Sequence, residues 1–217
     1  DHKGETQQFR CNFLMMCSGY YNYDTPSTPD FKGLDTFKGM VIHPQHWPKD
    51  LDYKNKKVVV IGSGATAMTL VPAMADDAAS VTMLQRSPTY VVARPDQDKI
   101  ANTLRKLLPD SMAYALTRFK NTQLQHFMYQ RMRKEPTKMK KALVGMVSDA
   151  LGPDFDVEKH FTPKYNPWDQ RLCLIPNGDL FKSIKKGKTQ VITDQIDTFT
   201  ANGITLTSGD TLEADII

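Results

Sequence analysis

The sequence predicts an α/β chain: a doubly wound parallel sheet, interrupted by a helical insertion and closed by a β-meander. Three observations predict it. Residues 57–85 read as strand, glycine turn, helix and strand. Residues 98–141 carry apolar residues at helical spacing, and residues 190–217 alternate or run apolar between turn residues. The 217 residues suit one large domain or one and a half smaller ones. With 40% hydrophobic and 24% charged residues a core can form, which excludes a disordered chain. A net charge of +4 is too small to argue for nucleic acid. Cys11, Cys17 and Cys173 make neither a disulfide framework nor a metal-ligand spacing, so a reducing, cytoplasmic setting and no bound metal are expected. No apolar run approaches the ~18–20 residues of a membrane span, and no secretory leader pattern is present.

In chain order, the apolar run Phe13–Cys17, bounded by Ser18-Gly19, predicts a strand buried on both faces. Residues 20–36 are rich in Tyr, Pro, Asp and Gly and predict an irregular connection. Val58–Ile61 is apolar and β-branched, Ala65 to about Ala75 reads as a helix that Pro72 kinks or shortens, and Val81–Leu84 is a second strand. Ile100, Leu104, Leu107, Leu108, Met112, Leu116 and Phe119 mark an apolar stripe over residues 98–141. Pro109 and Pro136 cut that segment into three helices, and Gly152-Pro153 stops it. It holds eleven Lys/Arg against Asp98, Asp110 and Glu135, a net +8. Such an insertion can touch anionic lipid; the plainer reading is a solvated face over a stripe packed on the protein. Residues 154–188 read as loop-rich. Gln190–Thr193, Ile196–Thr200, Ile204–Thr207 and Thr211–Ile217 read as strands, with Asn202-Gly203 as a hairpin turn whose two residues take φ > 0. The chain opens on Asp1 and closes on "LEADII" inside an expected strand, which suggests a piece of a longer protein.

The chemistry centres on Gly62-Ser63-Gly64-Ala65-Thr66-Ala67, a G-x-G-x-x-A that follows a strand and opens a helix. Gly62 allows the tight turn, Gly64 admits a pyrophosphate to the backbone, and Ala67 lets helix and strand pack closely. The helix N-terminus offers free N–H groups to phosphates. This is the Rossmann-type pattern, set against a purely structural glycine turn. An NAD site needs an acid about 20 residues on. Here the expected end of the second strand reads Gln85-Arg86-Ser87, with Arg86 24 residues past Gly62. A guanidinium there suits a 2′-phosphate, and Ser87 adds a donor. NADP is therefore expected, against Arg86 as a plain surface residue.

Phe37, Gly39, His43, Trp47 and Pro48 spell F-x-G-x-x-x-H-x-x-x-W-P. On their own, His43 and Trp47 suggest a packed aromatic corner rather than a catalytic pair. The pattern resembles the fingerprint of Baeyer–Villiger monooxygenases, among the class B flavoprotein monooxygenases. "CSGYYNYDTP", "VVVIGSGATA", "LQRSPTY" and "YNPWDQRLC" resemble the thioamide-prodrug-activating FAD-containing monooxygenases of actinobacteria. The resemblance covers nearly the whole chain and is least distinctive in the helical insertion.

The resemblance implies FAD and NADP as cofactors, with NADPH, O₂ and a small organic ketone, sulfide or amine as partners. It implies oxygen insertion into ketones, or oxidation at sulfur or nitrogen, by way of a C4a-peroxyflavin. It implies that the fingerprint couples the motions of two nucleotide domains, not that His43 is a base. It places Cys17-Ser18-Gly19-Tyr20 at the end of a strand touching the flavin region, and makes Arg171 the catalytic arginine that reaches flavin and nicotinamide. Without it, the alternative is a loop arginine paired with Asp169 or another acid. Gln170 stands where many relatives carry a basic residue and is counted among the nucleotide contacts. The implied division is residues 1–50 as the edge of a truncated FAD domain plus linker, 51–97 and 163–212 as the NADP-binding domain, 98–162 as the insertion, and 213–217 as the return to the FAD domain. No FAD-type glycine fingerprint occurs in the chain, so on its own it is expected to be inactive. Two rivals stand beside this reading. A flavoprotein disulfide reductase needs a C-x-x-x-x-C pair, which the three cysteines do not form. The other is a non-enzymatic nucleotide-binding or membrane-surface module.

Overall fold

The computed structural model describes residues 4, 6–19 and 21–217. In chain order its regular elements begin with β1 (Lys57–Ile61), α1 (Ala65–Met74), β2 (Ser80–Gln85) and β3 (Tyr90–Arg94). The insertion follows as α2 (Lys99–Leu107), α3 (Asp110–Lys134) and α4 (Pro136–Leu151). Then come α5 (Val157–Phe161), β4 (Leu172–Pro176), α6 (Asp179–Lys185) and β5 (Thr189–Thr193). The chain finishes with β6 (Ile196–Thr200), β7 (Gly203–Leu206) and β8 (Thr211–Glu213).

A parallel sheet of order β1-β2-β5 forms the centre. Period-2 alternation sends its side chains to two cores. Val58, Val81, Met83 and Val191 meet α1 and α6 through Met68, Val71 and Leu180. Val59, Leu84 and Ile192 face the other way, against Phe199, Ile204 and Leu206 of the antiparallel β6-β7-β8 meander. One face of the sheet is thus covered by helices and the other by the meander. Pro72 lies inside α1, which stops two residues later at Met74. β3 and β4 pair in parallel as a second, two-stranded sheet.

Several sequence expectations change here. Phe13–Cys17 forms no strand: it pairs with nothing among the described residues, and Phe13 is 76% exposed. A strand needs a hydrogen-bonding neighbour, which an apolar run does not supply for itself. Cys17–Gly19 has no regular structure either, and Tyr20 lies outside the described residues. Residues 154–188 are loop-rich as expected, with α5, β4 and α6 as three short elements among the loops. β4 is a short strand fixed by a neighbour some eighty residues away, a signal absent from local pattern.

The hairpin turn is Ala201-Asn202, because Thr200 pairs with Gly203. Asn202 has no positive φ. Gly203 belongs to the strand, and its lack of a side chain is needed there: a Cβ would collide with the Leu212 carbonyl of β8. The final strand ends at Glu213. Ile216 then bridges both Val58 and Met40, with Val59 N donating to Ile216 O at 2.9 Å and Ile217 N to Met40 O at 2.9 Å. Residues 40–42 and 215–217 therefore extend the central sheet beyond β1.

The three helices of the insertion appear where Pro109, Pro136 and Gly152 place them. Asp98 caps α2 by accepting from Ala101 N at 3.0 Å, and it also takes Lys120 and Asn121 of α3. The plainer reading of the stripe is corrected. Phe119 is 67% exposed, and Ile100, Leu107, Met112 and Leu116 are exposed with it. The insertion reaches the core instead through Leu143, Val147 and Leu151 of α4, which packs against β3, α5 and α6 while α3 packs on α4. No helix among the described residues is long and apolar enough to cross a membrane, and no His/Cys/Asp/Glu group among them could hold a metal ion.

Candidate functional site: a nucleotide cleft at the glycine turn

β1 delivers the chain into the turn, where Gly62 takes φ 126° and donates its N–H to Leu84 O at 2.8 Å. That φ lies in the region that favours glycine. Gly64 is the N-cap of α1, and no side chain caps it. The first N–H groups of α1 are thus left for a ligand, at the positive end of the helix. A Cβ at Gly62 or Gly64 would meet nothing within 4 Å, so the space above the turn is open. Ala65 and Thr66 are exposed beside it, while Ala67 is buried against the sheet.

A cleft of about 400 Å³ opens over this turn. Gly62, Ser63, Arg86, Ser87 and Arg171 line it, which brings together residues from three distant parts of the chain. Arg171 Nη2 donates to Ser63 Oγ at 3.1 Å. It does not pair with Asp169, which is held by Arg133 at 2.5 Å; that cation keeps the Asp169 carboxyl below the usual range. Asp169 is therefore not the partner of Arg171.

Gly64, Ala65, Thr66 and Ala67 do not line this cleft, and the expected contacts Gln85 and Gln170 do not join it either. Gln85 is buried, with its Nε2 donating to His160 O at 2.7 Å and to Thr193 Oγ1 at 2.9 Å. Strand register turns this residue inward, so it serves the packing of β2 against β5 and α5. Gln170 is exposed, bridges back to Pro167 and does not line the cleft.

Sequence reasoning missed Pro29, Phe31, Asp194, Gln195 and Ile196, which also line the cleft, together with Ile61 of β1 and Leu84 of β2. β5 pairs with β2, so Asp194 follows β5 where Arg86 follows β2. Hydrogen bonds from Ser208 and from Gln195 N hold the Asp194 carboxyl below its ordinary value. The βαβ order would have pointed to Asp194, had the pairing of β5 with β2 been read. Chemically, the cleft offers two guanidinium groups to an anion, with one carboxylate at its edge, and the free N–H groups of α1 follow the Gly62-Ser63 turn beside it.

The F-x-G-x-x-x-H-x-x-x-W-P segment lies elsewhere. Phe37 is buried in the meander core, edge-on to Phe199 at 6.3 Å. Gly39 leaves room for the Phe37 ring and the Asp215 carbonyl, with which a Cβ would collide. His43 Nδ1 accepts from Gln45 N at 3.2 Å and so caps a short 3-10 turn, Pro44–His46. His43 and Trp47 line a second, mostly apolar cavity of about 490 Å³, and Pro48 is exposed next to Trp47. Pro29, Phe31 and Ile61 line both spaces, so the two regions share a wall.

Residues 1–152 match a family model described as flavin-binding monooxygenase-like. The chain belongs to that family. It is 56% identical over 215 residues to the FAD-containing monooxygenase EthA of Mycobacterium tuberculosis (strain ATCC 25618 / H37Rv), across 99% of this chain and 44% of that protein. It is 52% identical over 218 residues to the probable FAD-binding monooxygenase AlmA of Acinetobacter baylyi, across 100% of this chain and 44% of that one. The chain thus spans about 44% of the length of these curated relatives. Among solved structures, OTEMO in complex with FAD and NADP superposes with a TM-score of 0.66 at 17% identity, over 88% of this chain and 43% of that one. An oxidized steroid monooxygenase bound to NADP gives 0.64 at 19% identity, again over 88% and 43%. These two show the shared α/β fold.

Proposed function

We propose that this chain is the NADP-binding part of an NADPH- and O₂-dependent flavin monooxygenase that oxidises small organic ketones by Baeyer–Villiger insertion, or sulfide or amine centres. The observation that carries the reading is the cleft, where Gly62 and Ser63, just before the uncapped N-terminus of α1, meet Arg86, Ser87 and Arg171. The open space over Gly62 and Gly64 fits a pyrophosphate. Gly62 to Ala67 would hold it through backbone N–H groups, Arg86 and Ser87 would hold a 2′-phosphate, and Arg171 would lie toward the nicotinamide end. NADPH supplies a hydride and FAD supplies oxygen chemistry. The residues of this chain contain one dinucleotide turn, so FAD is assigned to other residues of the whole protein. This chain's own work is to bind, orient and hold positive charge at fixed points. The names of the 56% and 52% identical relatives support the flavin monooxygenase class.

Titrating the whole protein with NADPH and NADH tests the site; a preference for NADPH supports it, and equal affinities count against it. Oxygen uptake with a cyclic ketone, followed by detection of the lactone, tests the reaction. The exposed stripe of α2 and α3 in its net +8 surround supports, in addition, contact with an anionic membrane surface. Co-sedimentation with phosphatidylglycerol vesicles but not phosphatidylcholine vesicles is the expected result. Equal recovery from both would remove that addition.

A further inference from the structure

We infer that Ser63 is a positioning residue that fixes the Arg171 guanidinium over the nucleotide cleft, with Thr89 as its anchor. The inference rests on the nucleotide-site reading above and adds to it a residue that the glycine pattern leaves as an unspecified position. Ser63 is 4% exposed, unlike its neighbours Ala65 and Thr66. Its Oγ lies 3.0 Å from Thr89 Oγ1, which is itself buried, and 3.1 Å from Arg171 Nη2. Guanidinium only donates, so Ser63 Oγ accepts from Arg171, while the hydroxyl pair with Thr89 sets its direction. Below the turn, Cys173 Sγ donates to Ser63 O at 3.8 Å, which ties the same residue to the start of β4.

One small side chain therefore joins three pieces of the cleft: the glycine turn, the connection that carries Arg86 and Ser87, and Arg171. An arginine side chain gives up substantial rotamer freedom when it is held in one place. A buried hydroxyl that already holds it lowers the entropy lost when a nucleotide arrives. The hydrogen bond is charge-assisted, which places it among the stronger kinds.

The test is a double-mutant cycle on NADP⁺ binding in the whole flavoprotein, with Ser63→Ala, Arg171→Ala and the pair. Ser63→Ala is expected to weaken NADP⁺ binding by roughly 10-fold, the scale of one charge-assisted hydrogen bond. In the Arg171→Ala background the same change is expected to weaken it by less than about 2-fold, because the two residues act as a unit. Thr89→Val is the second variant, should Ser63→Ala not fold; it is expected to give a smaller loss that likewise disappears with Arg171→Ala. The melting temperature without nucleotide serves as the structural control. A loss that persists undiminished in Arg171→Ala, or no loss at all, overturns the inference. A wild-type protein without affinity for NADPH or NADP⁺ overturns the underlying reading instead.

Discussion

Arg86→Ala in the whole protein tests the proposed 2′-phosphate contact. Arg86 is exposed on the rim of the cleft, beside Ser87 and across from Asp194. A hydrogen bond to a charged group contributes about 1.5–3 kcal/mol. Solvent exposure and salt screening favour the lower half of that range, about 1.5–2 kcal/mol. That corresponds to roughly 10- to 30-fold weaker NADPH binding. NADH has no 2′-phosphate, so its affinity should change by less than about 3-fold. The difference should narrow as salt rises, since the contact lies where ions reach it. Fluorescence titration with both nucleotides at two ionic strengths measures all of this. If NADPH and NADH lose affinity equally, Arg86 is a plain surface residue and the NADP assignment loses its main support.

Gly64→Ala should preserve the fold, because φ −81° suits any residue and the added methyl meets nothing. NADPH titration should nonetheless show at least a 10-fold loss, with the melting temperature moving by only a few degrees; unchanged binding would mean the turn holds no pyrophosphate. Arg171→Ala removes a fixed charge, a change that commonly costs about 10²–10³ in rate. It should consume NADPH and O₂ while releasing hydrogen peroxide in place of oxygenated product, as a peroxide assay beside product analysis will report. Burial, with Lys159 adding to it, lowers the pKa of His160 from its ordinary 6.5. The unfolded chain then takes up the proton first, so stability is complete above about pH 6.5 and declines as pH falls from there through the folded value. Urea midpoints at pH 7.5 and 5 should show that decline in the wild type and a shallower one in His160→Gln; equal slopes would refute it.

How much was readable follows from how local each signal was. β1, the glycine turn, α1 and β2 occupy one continuous stretch, and each announces itself by periodicity or by glycine. The insertion was readable because Pro109, Pro136 and Gly152 punctuate it. β3 and β4 were not, since each is a five-residue strand fixed by a partner far away in sequence. Gln85 was misread for a related reason: a polar residue at a strand end looks solvent-facing, but register turns it toward His160 and Thr193. Arg171 was found through family resemblance, and its contact with Ser63 joins residues 108 apart. Asp194 and Gln195 entered the cleft only once β5 was seen to lie beside β2.

Residues 95–171 form a single crossover between the adjacent parallel strands β3 and β4. The closing loop of that crossover is tethered at both ends. Asp169 to Arg133, and Trp168 Nε1 to Met132 Sδ at 2.9 Å, fasten it to α3. Tyr90 Oη donates to Tyr165 O at 2.6 Å, and Tyr165 Oη to Arg171 O at 2.9 Å, which fastens it to β3. The glycine turn stands on β1 and α1 and meets this loop through Ser63, whose Oγ accepts from Arg171 at 3.1 Å. The cleft thus takes one wall from the turn between β1 and α1 and the Arg171 guanidinium from the tethered loop. Any shift of the insertion would therefore pull on the glycine turn through that hydrogen bond, so the two walls of the cleft are joined rather than independent.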